Sequence, residues 1–388
     1  MLGFSSFWGA PVSAKTPSPQ SVAPRRFSPP TLKISGSAQK FLAQKPVLTS
    51  LDIDSTLIPW LKEPEYDEVA LTRYRKTLGS PDFRNQSFVI LNTGRSLSAV
   101  KRLAPILRDL PIDALGLNDG QQLYLRSASL DKNAHPKNDS QSWLQSLSRS
   151  DQDPHWKAVL GGWSATQVLQ DIRDTLQTDL GFQLAAKPGE KNRFNPNGEY
   201  FAFQKPMSPK HPKSGDWVIR ICPDQTYFEV ASTQPDVTEP DIANYSEFLI
   251  DHLQARLKPQ WPTVMFYNSQ SSEGCHIHLG PENTNKASLV RHLLATRFEQ
   301  KPQAVISAGD NTNDIALLSS HTLEGVPNYP VLVGSHPKVM AALRQNPPPN
   351  LESVGWNQLD EGLKKQFAKV KDHLKTTGGN GQRLDATA

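Results

Sequence analysis

Residues 46–57 read PVLTSLDIDSTL, and this stretch decides the fold. Val47 to Leu51 is a short apolar run with a β-branched bias, the signature of a buried strand. Two carboxylates, Asp52 and Asp54, follow it at once. Downstream, Asp67 to Leu78 is charged and helix-like, and Phe88 to Leu91 is a second apolar run. Ser96 then stands as a helix cap, with Val100, Leu103 and Leu107 on one helical face. IDALGLNDGQQLYL (112–125) supplies a third strand, with Asn118-Asp119-Gly120 as a turn. Strand, helix, strand, helix, strand is the pattern of a parallel sheet wrapped by helices.

The middle of the chain changes character. Residues 127–160 are polar and dotted with tryptophan, a loop or extension. Thr166 to Leu180 carries Val168, Leu169, Ile172 and Leu176 at helical spacing. Strands are expected at Tyr200–Gln204, Trp217–Ile221, Thr226–Ala231, Val264–Asn268 and His276–Leu279, with a helix at Ala243–Leu257. The alternating pattern returns with a helix led by Lys286, a strand at Ala304–Ser307, the segment AGDNTNDIALL and a last strand in YPVLVG. The expected fold is therefore α/β: a Rossmann-like parallel-sheet core interrupted by an inserted α+β cap. The expected boundaries are 46–126 and 280–345 for the core, 127–279 for the cap, and 346–375 for a C-terminal helical extension.

Composition narrows the classes of function. The chain has 388 residues, long enough for two cores. The net charge of +4 hides a split: residues 1–50 hold six Lys/Arg and no acid, so the remainder is slightly acidic. The basic character belongs to a Ser/Pro-rich tail, residues 1–45, read as disordered. The body gives no reason to expect a nucleic-acid groove. No run approaches the ~18–20 apolar residues that cross a bilayer, and no membrane association is expected. The first residues lack the order of a secretory signal; an acid-free, Ser-rich start is also the composition of an organelle transit peptide. The expected compartment is the cytoplasm, with an organelle as the alternative. Cys222 and Cys275 match no metal-ligand spacing and read as reduced core residues. Residues 376–388 are Gly-rich and read as a disordered tail. Oligomeric state is not legible in the sequence.

The chemistry lies at the strand ends, where open α/β sheets bind ligands. Asp52 and Asp54, two apart after a buried strand, suit a carboxylate nucleophile with a proton donor and acceptor beside it. Asp310 and Asp314, four apart in an Asn-rich turn, supply hard oxygen donors of the kind Mg²⁺ takes. Thr93 and Gly94 form a turn whose hydroxyl and amides can hold phosphate oxygens. Lys286, at a helix start, can neutralise the same group as a point charge. Each feature alone has an ordinary structural reading as a cap or turn. His276 and His278 read as strand residues rather than a metal pair, because metal sites need further converging ligands. The tryptophans around 156–163 read as core or sugar-stacking residues, and Lys205–Lys213 as a solvated loop.

Taken together, DIDST, TGR, a helix-leading lysine and GDNTND resemble the haloacid dehalogenase-like hydrolases. Within them the chain is similar to the branch with a large α+β cap, which includes sucrose-phosphate phosphatases and Cof-type sugar phosphatases. The resemblance implies an Mg²⁺-dependent phosphatase that works through an aspartyl-phosphate on a small phosphorylated sugar. It implies that Asp52 is the nucleophile and Asp54 the general acid/base, and that Thr93, Gly94, Lys286 and Asn313 hold phosphate. Asp52, Asp54 (through its carbonyl), Asp310 and Asp314 would hold or support the metal. A phosphohexose mutase or glycosyl-phosphoglycerate phosphatase using the same Asp52 is the enzymatic alternative. A non-catalytic phospho-ligand sensor or scaffold is the alternative of another class. Two positions depart from the pattern: Ser55 and Thr312 stand where glycine is common.

Overall fold

The computed structural model describes residues 45–62, 65–126, 140–161, 163–185, 201–205, 217–221, 226–232, 237–271 and 274–377. In chain order the first elements are β1 (Val47–Leu51), β2 (Trp60–Lys62), β3 (Glu65–Tyr66), α1 (Glu68–Leu78), α2 (Pro81–Gln86) and β4 (Ser87–Asn92). There follow α3 (Leu97–Leu107), β5 (Ala114–Leu117), β6 (Gln122–Leu125), α4 (Ser140–Ser146), α5 (Pro154–Val159) and α6 (Ala165–Thr178). Then come β7 (Gln183–Ala185), β8 (Phe201–Lys205), β9 (Trp217–Ile221), β10 (Tyr227–Ser232), α7 (Glu239–Leu257), β11 (Val264–Ser271) and β12 (Gly274–Pro281). The chain closes with α8 (Lys286–Thr296), β13 (Ala304–Gly309), α9 (Ile315–Leu318), β14 (Thr322–Leu323), β15 (Val326–Val333), α10 (Pro337–Gln345), β16 (Glu352–Val354) and α11 (Leu359–Thr377).

The large sheet runs β14-β15-β13-β1-β4-β5-β6, with β16 beside β15. β1 sits at its centre, parallel to β13 on one side and β4 on the other, with Leu51 level with Ala308 and Leu91. All five residues of β1 and all six of β4 are buried, as a strand covered on both faces requires. Alternation then sorts them. Val47, Leu51, Val89 and Leu91 join the cluster under α1, α3 and α11, while Leu48, Phe88 and Ile90 join the cluster under α8. The result is a three-layer α/β/α core.

Three features differ from expectation. The third strand is two: β5 and β6 form an antiparallel hairpin around Asn118–Gln121. Asn118 and Asp119 both take left-handed backbone (φ 51° and 54°), which short polar side chains tolerate. Residues 140–160, expected as a loop or extension, hold α4 and α5. Leu144, Leu147 and Trp156 are buried in the clusters of the large sheet. The segment 346–375 adds β16, parallel to β15, before its helix begins at Leu359. That helix lies against the sheet, where Gln366 Nε2 donates to the Pro330 carbonyl at 2.7 Å.

The second sheet, β11-β12-β10-β9-β8-β7, is antiparallel throughout. α6 and α7 cover one face through Ile172, Leu176, Leu249 and Leu253, packed on Ile219, Phe228 and Ile277. The rings of Trp217 and Tyr245 stack with centroids 4.1 Å apart. This is the α+β cap. Cys275 is buried as a free thiol in it; Cys222 and the loop residues 206–213 lie outside the described residues. Among the described residues no helix is long and apolar enough to cross a membrane.

Candidate active site

Parallel register brings the carboxyl ends of β1, β4 and β13 to one edge. Asp52 follows β1 directly, and its N–H donates to the Ala308 carbonyl at 3.0 Å, continuing the ladder with β13. Asp310 follows β13, and the turn beyond it folds back so that the Asp314 carboxylate faces its own backbone. Asp314 Oδ2 accepts from the N–H groups of Asp310 and Asn311, each at 3.1 Å. Only glycine fits before this turn, since a Cβ on Gly309 would lie 2.3 Å from Asp314 Cγ. Asn311 caps the short helical turn that holds Thr312, and Thr312 has no left-handed backbone. Ser55 does: its φ is 54°, a region glycine enters without cost.

Lys286 arrives from far along the chain. Asn285 caps α8, accepting from the Ser288 N–H at 2.9 Å. Asn92, the last residue of β4, donates through Nδ2 to the Lys286 carbonyl at 2.9 Å. So fixed, Lys286 Nζ lies 2.8 Å from Asp52 Oδ1 and 2.7 Å from Asp314 Oδ1. Its side chain is 1% exposed. Burial alone pulls the Lys286 pKa down, but Asp314 and Asp52 reverse this, so the ammonium stays charged.

The carboxylates outnumber that charge. Burial, with Asp314 and Asp310 beside it, raises the Asp52 pKa well above the usual range, against the opposing pull of Lys286. Burial and Asp314 push Asp310 up to about 7, although the Thr56 hydroxyl donates to its Oδ1 at 2.9 Å. Asp52, Asp310 and Asp314 each offer an oxygen within 4.8 Å of the others. A buried, all-oxygen cluster short of positive charge fits a hard divalent cation such as Mg²⁺. Asp314 has both oxygens engaged already, which leaves Asp52 and Asp310 as the better-placed direct donors.

The remaining expected residues take distinct places. Asp54 is turned to Arg95, whose Nε lies 2.8 Å from each of its oxygens. Thr93 is fully buried at the end of β4, and its hydroxyl accepts the Arg95 N–H at 3.2 Å. Gly94 leaves room for two side chains: a Cβ there would stand 3.1 Å from Asp119 Oδ1 and 3.5 Å from Asn313 Nδ2. Asn313 Nδ2 donates to Asp119 Oδ1 at 2.9 Å. On its other oxygen Asp119 meets His278 Nδ1 of the cap strand β12 at 3.3 Å. The indole N–H groups of the tryptophans serve structure: Trp156 Nε1 donates to the Gly120 carbonyl at 2.9 Å, and Trp163 Nε1 to Gln121 Oε1 at 3.0 Å.

Sequence reasoning missed Arg95, Thr56 and Asp119. Arg95 stood inside the quoted TGR turn, so its signal was present and unused. Thr56 likewise stood inside the quoted DIDST and Asp119 inside the expected turn, but their partners, 254 and 194 residues away, were not legible.

Residues 229–324, from β10 through Lys286 and the Asp310 turn, match the sequence model of the haloacid dehalogenase-like hydrolase family. No curated protein matches the chain. Among solved structures, a sucrose-phosphatase from Synechocystis, in complex with sucrose and phosphate, is similar at 18% identity and TM-score 0.47, over 83% of this chain and 98% of that one. A haloacid dehalogenase-like hydrolase protein from Bacillus subtilis is similar at 12% identity and TM-score 0.43, over 86% and 95%. A phosphatase of the same superfamily from Bacteroides thetaiotaomicron is similar at 14% identity and TM-score 0.41, over 90% and 99%.

Proposed function

We propose, from the haloacid dehalogenase-like match joined to the site geometry, that the chain is a phosphatase acting through Asp52 on a small phosphorylated sugar. The observation that carries this is the buried Lys286 bridge, with one ammonium between Asp52 and Asp314 at the carboxyl edge of the sheet. A lysine held there positions and neutralises a phosphoryl group while leaving the second Asp52 oxygen to attack. Attack forms an Asp52 acyl-phosphate and expels the alkoxide, which Asp54 protonates; Asp54 then takes a proton from water as that water opens the intermediate. Thr93 and the Gly94 turn hold the equatorial oxygens, and Asn313 orders that turn through Asp119. Asp52 and Asp310 would hold Mg²⁺, with Asp314 and Thr56 fixing their orientation. When bound, the cation supplies charge neutralisation that Lys286 alone does not complete. The sugar assignment rests on the core motifs combined with a large α+β cap, the pattern of the sugar-phosphatase branch.

The test is phosphate release from a panel of phosphosugars and p-nitrophenyl phosphate, in Mg²⁺ or EDTA, by wild type and Asp52→Asn. Magnesium-dependent release that vanishes in Asp52→Asn is expected. A folded, metal-loaded protein that releases no phosphate from any of them would overturn the proposal. Transfer of the phosphate back to sugar rather than to water would mark a mutase instead.

A further inference from the structure

Where the chain passes from the large sheet into the cap, Leu160 and Trp163 to Thr166 border a cleft of about 230 Å³. None of Asp52, Asp54, Thr93, Lys286 or Asp310 lines it, and among the described residues neither does any Asp or Glu. Arg149 and Lys157 do, and neither forms an ion pair with a described residue. Two cations without acidic partners among the described residues make the cleft a place for negative charge.

Its polar groups also await a partner. Asn118 lines the cleft, is 1% exposed, and leaves its Oδ1 without a hydrogen bond. A buried amide oxygen in that state is disfavoured unless a donor reaches it. A ligand hydroxyl is such a donor. The first turn of α6, at Ala165 and Thr166, presents N–H groups that the helix itself does not use, and these suit an anion. Trp163 has its Nε1 committed to Gln121, so it offers the cleft an aromatic wall of the kind a sugar ring packs on.

We infer that this cleft is a second site, which binds a small anionic polyol such as a sugar phosphate through Arg149, Lys157 and Asn118. The site does not depend on how the acidic cluster works. Its position gives it leverage, because Gln121 touches both passages between sheet and cap. Gln121 Oε1 accepts from Trp163 on the way in, and its Nε2 donates to the Leu279 carbonyl at 2.6 Å on the way out. Thr226, just before β10 of the cap, lines the cleft as well. A ligand bound here contacts core and cap at once and favours one setting of the cap over another.

The experiment is a titration of the full chain with glucose 6-phosphate in EDTA, followed by tryptophan fluorescence, with glucose in parallel. Wild type, Asp52→Asn and the exposed pair Arg149→Ser/Lys157→Ser are compared. Saturable binding is expected in wild type and in Asp52→Asn, at least tenfold weaker in the double variant and absent with glucose. Four results would each overturn the inference: no saturable change at millimolar ligand, equal binding of glucose, binding undiminished in the double variant, or binding lost in Asp52→Asn. The last would place the ligand in the acidic site. Phosphate release, measured separately, tests the phosphatase reading without touching this one.

Discussion

Arg95 holds Asp54 across the ends of two neighbouring strands, its Nε 2.8 Å from both carboxylate oxygens. A carboxylate gripped in this way is aimed, and its proton is handed over from a fixed direction. Removing the grip with Arg95→Gln leaves the nucleophile and lysine in place. The expected result is a kcat loss of about 10²-fold on sugar phosphates, whose alkoxide leaving group needs the proton. The loss on p-nitrophenyl phosphate should be several-fold smaller, since nitrophenolate leaves unprotonated. Steady-state kinetics on the two substrates measure the difference, and equal losses would argue against this role.

Lys286 is the only lysine or arginine contacting the buried Asp52 and Asp314 among the described residues. Lys286→Met strands two carboxylates in a dry interior, so a stability loss of about 3–5 kcal/mol is expected. Urea unfolding with Mg²⁺ and with EDTA checks it. The loss should shrink in the presence of Mg²⁺.

Asp52→Asn acts in the opposite sense. It removes one of the crowded carboxylates, so in EDTA the variant should unfold no earlier than wild type. Wild type should gain more thermal stability than the variant when Mg²⁺ is added, because binding to the native state alone stabilises it. Calorimetric melting with and without the metal distinguishes the two.

Gly309→Ala drives a methyl into Asp314. A cost of about 1–3 kcal/mol is expected from the overpacking, together with loss of the Mg²⁺ response as the turn is displaced. Gly161→Ala is the contrast. Unlike Gly309 it sits at positive φ (64°), but it has open space around it, so only the backbone penalty applies.

His292 sets a pH dependence away from the site. It packs against Trp156 with ring centroids 4.5 Å apart, and burial, His155 and Arg297 push its pKa down to about 3. The unfolded chain binds that proton near pH 6.5, the folded one near 3. Its contribution is therefore fully present above about pH 6.5 and is lost as pH falls toward 3, by at most ~1.4 kcal/mol per pH unit. Replacing it with Gln should flatten the acid limb of the stability curve by up to one proton, as read by unfolding at successive pH values.

The sequence announced the large sheet because its strands are buried on both faces and so appear as unbroken apolar runs. β1 was placed to the residue. β16 and β6 escaped notice: Glu352–Val354 is too short to show a period, and Gln122–Leu125 runs straight out of a turn that reads as the end of the preceding strand. Asp52, Asp310, Asp314 and Lys286 were legible because each sits at a strand end or helix start. What they contact was not. Whether Asp54 faces substrate or Arg95, and whether Asn313 faces Lys286 or Asp119, depends on packing between segments remote in the chain.

The central position of β1 has a consequence for synthesis. β1 ends at residue 51, and its neighbour β13 begins at residue 304. At about 5–20 residues per second, a ribosome needs on the order of tens of seconds to supply the missing strand. Throughout that interval the nascent sheet shows a bare, apolar flank along β1, open to any other unpaired chain. Meanwhile the cap, whose strands and helices all lie in the intervening stretch, is free to fold first. This protein therefore has reason to depend on a holding chaperone during translation. Slowing elongation between residues 51 and 304 should increase the aggregated fraction, whereas slowing it after residue 333 should not.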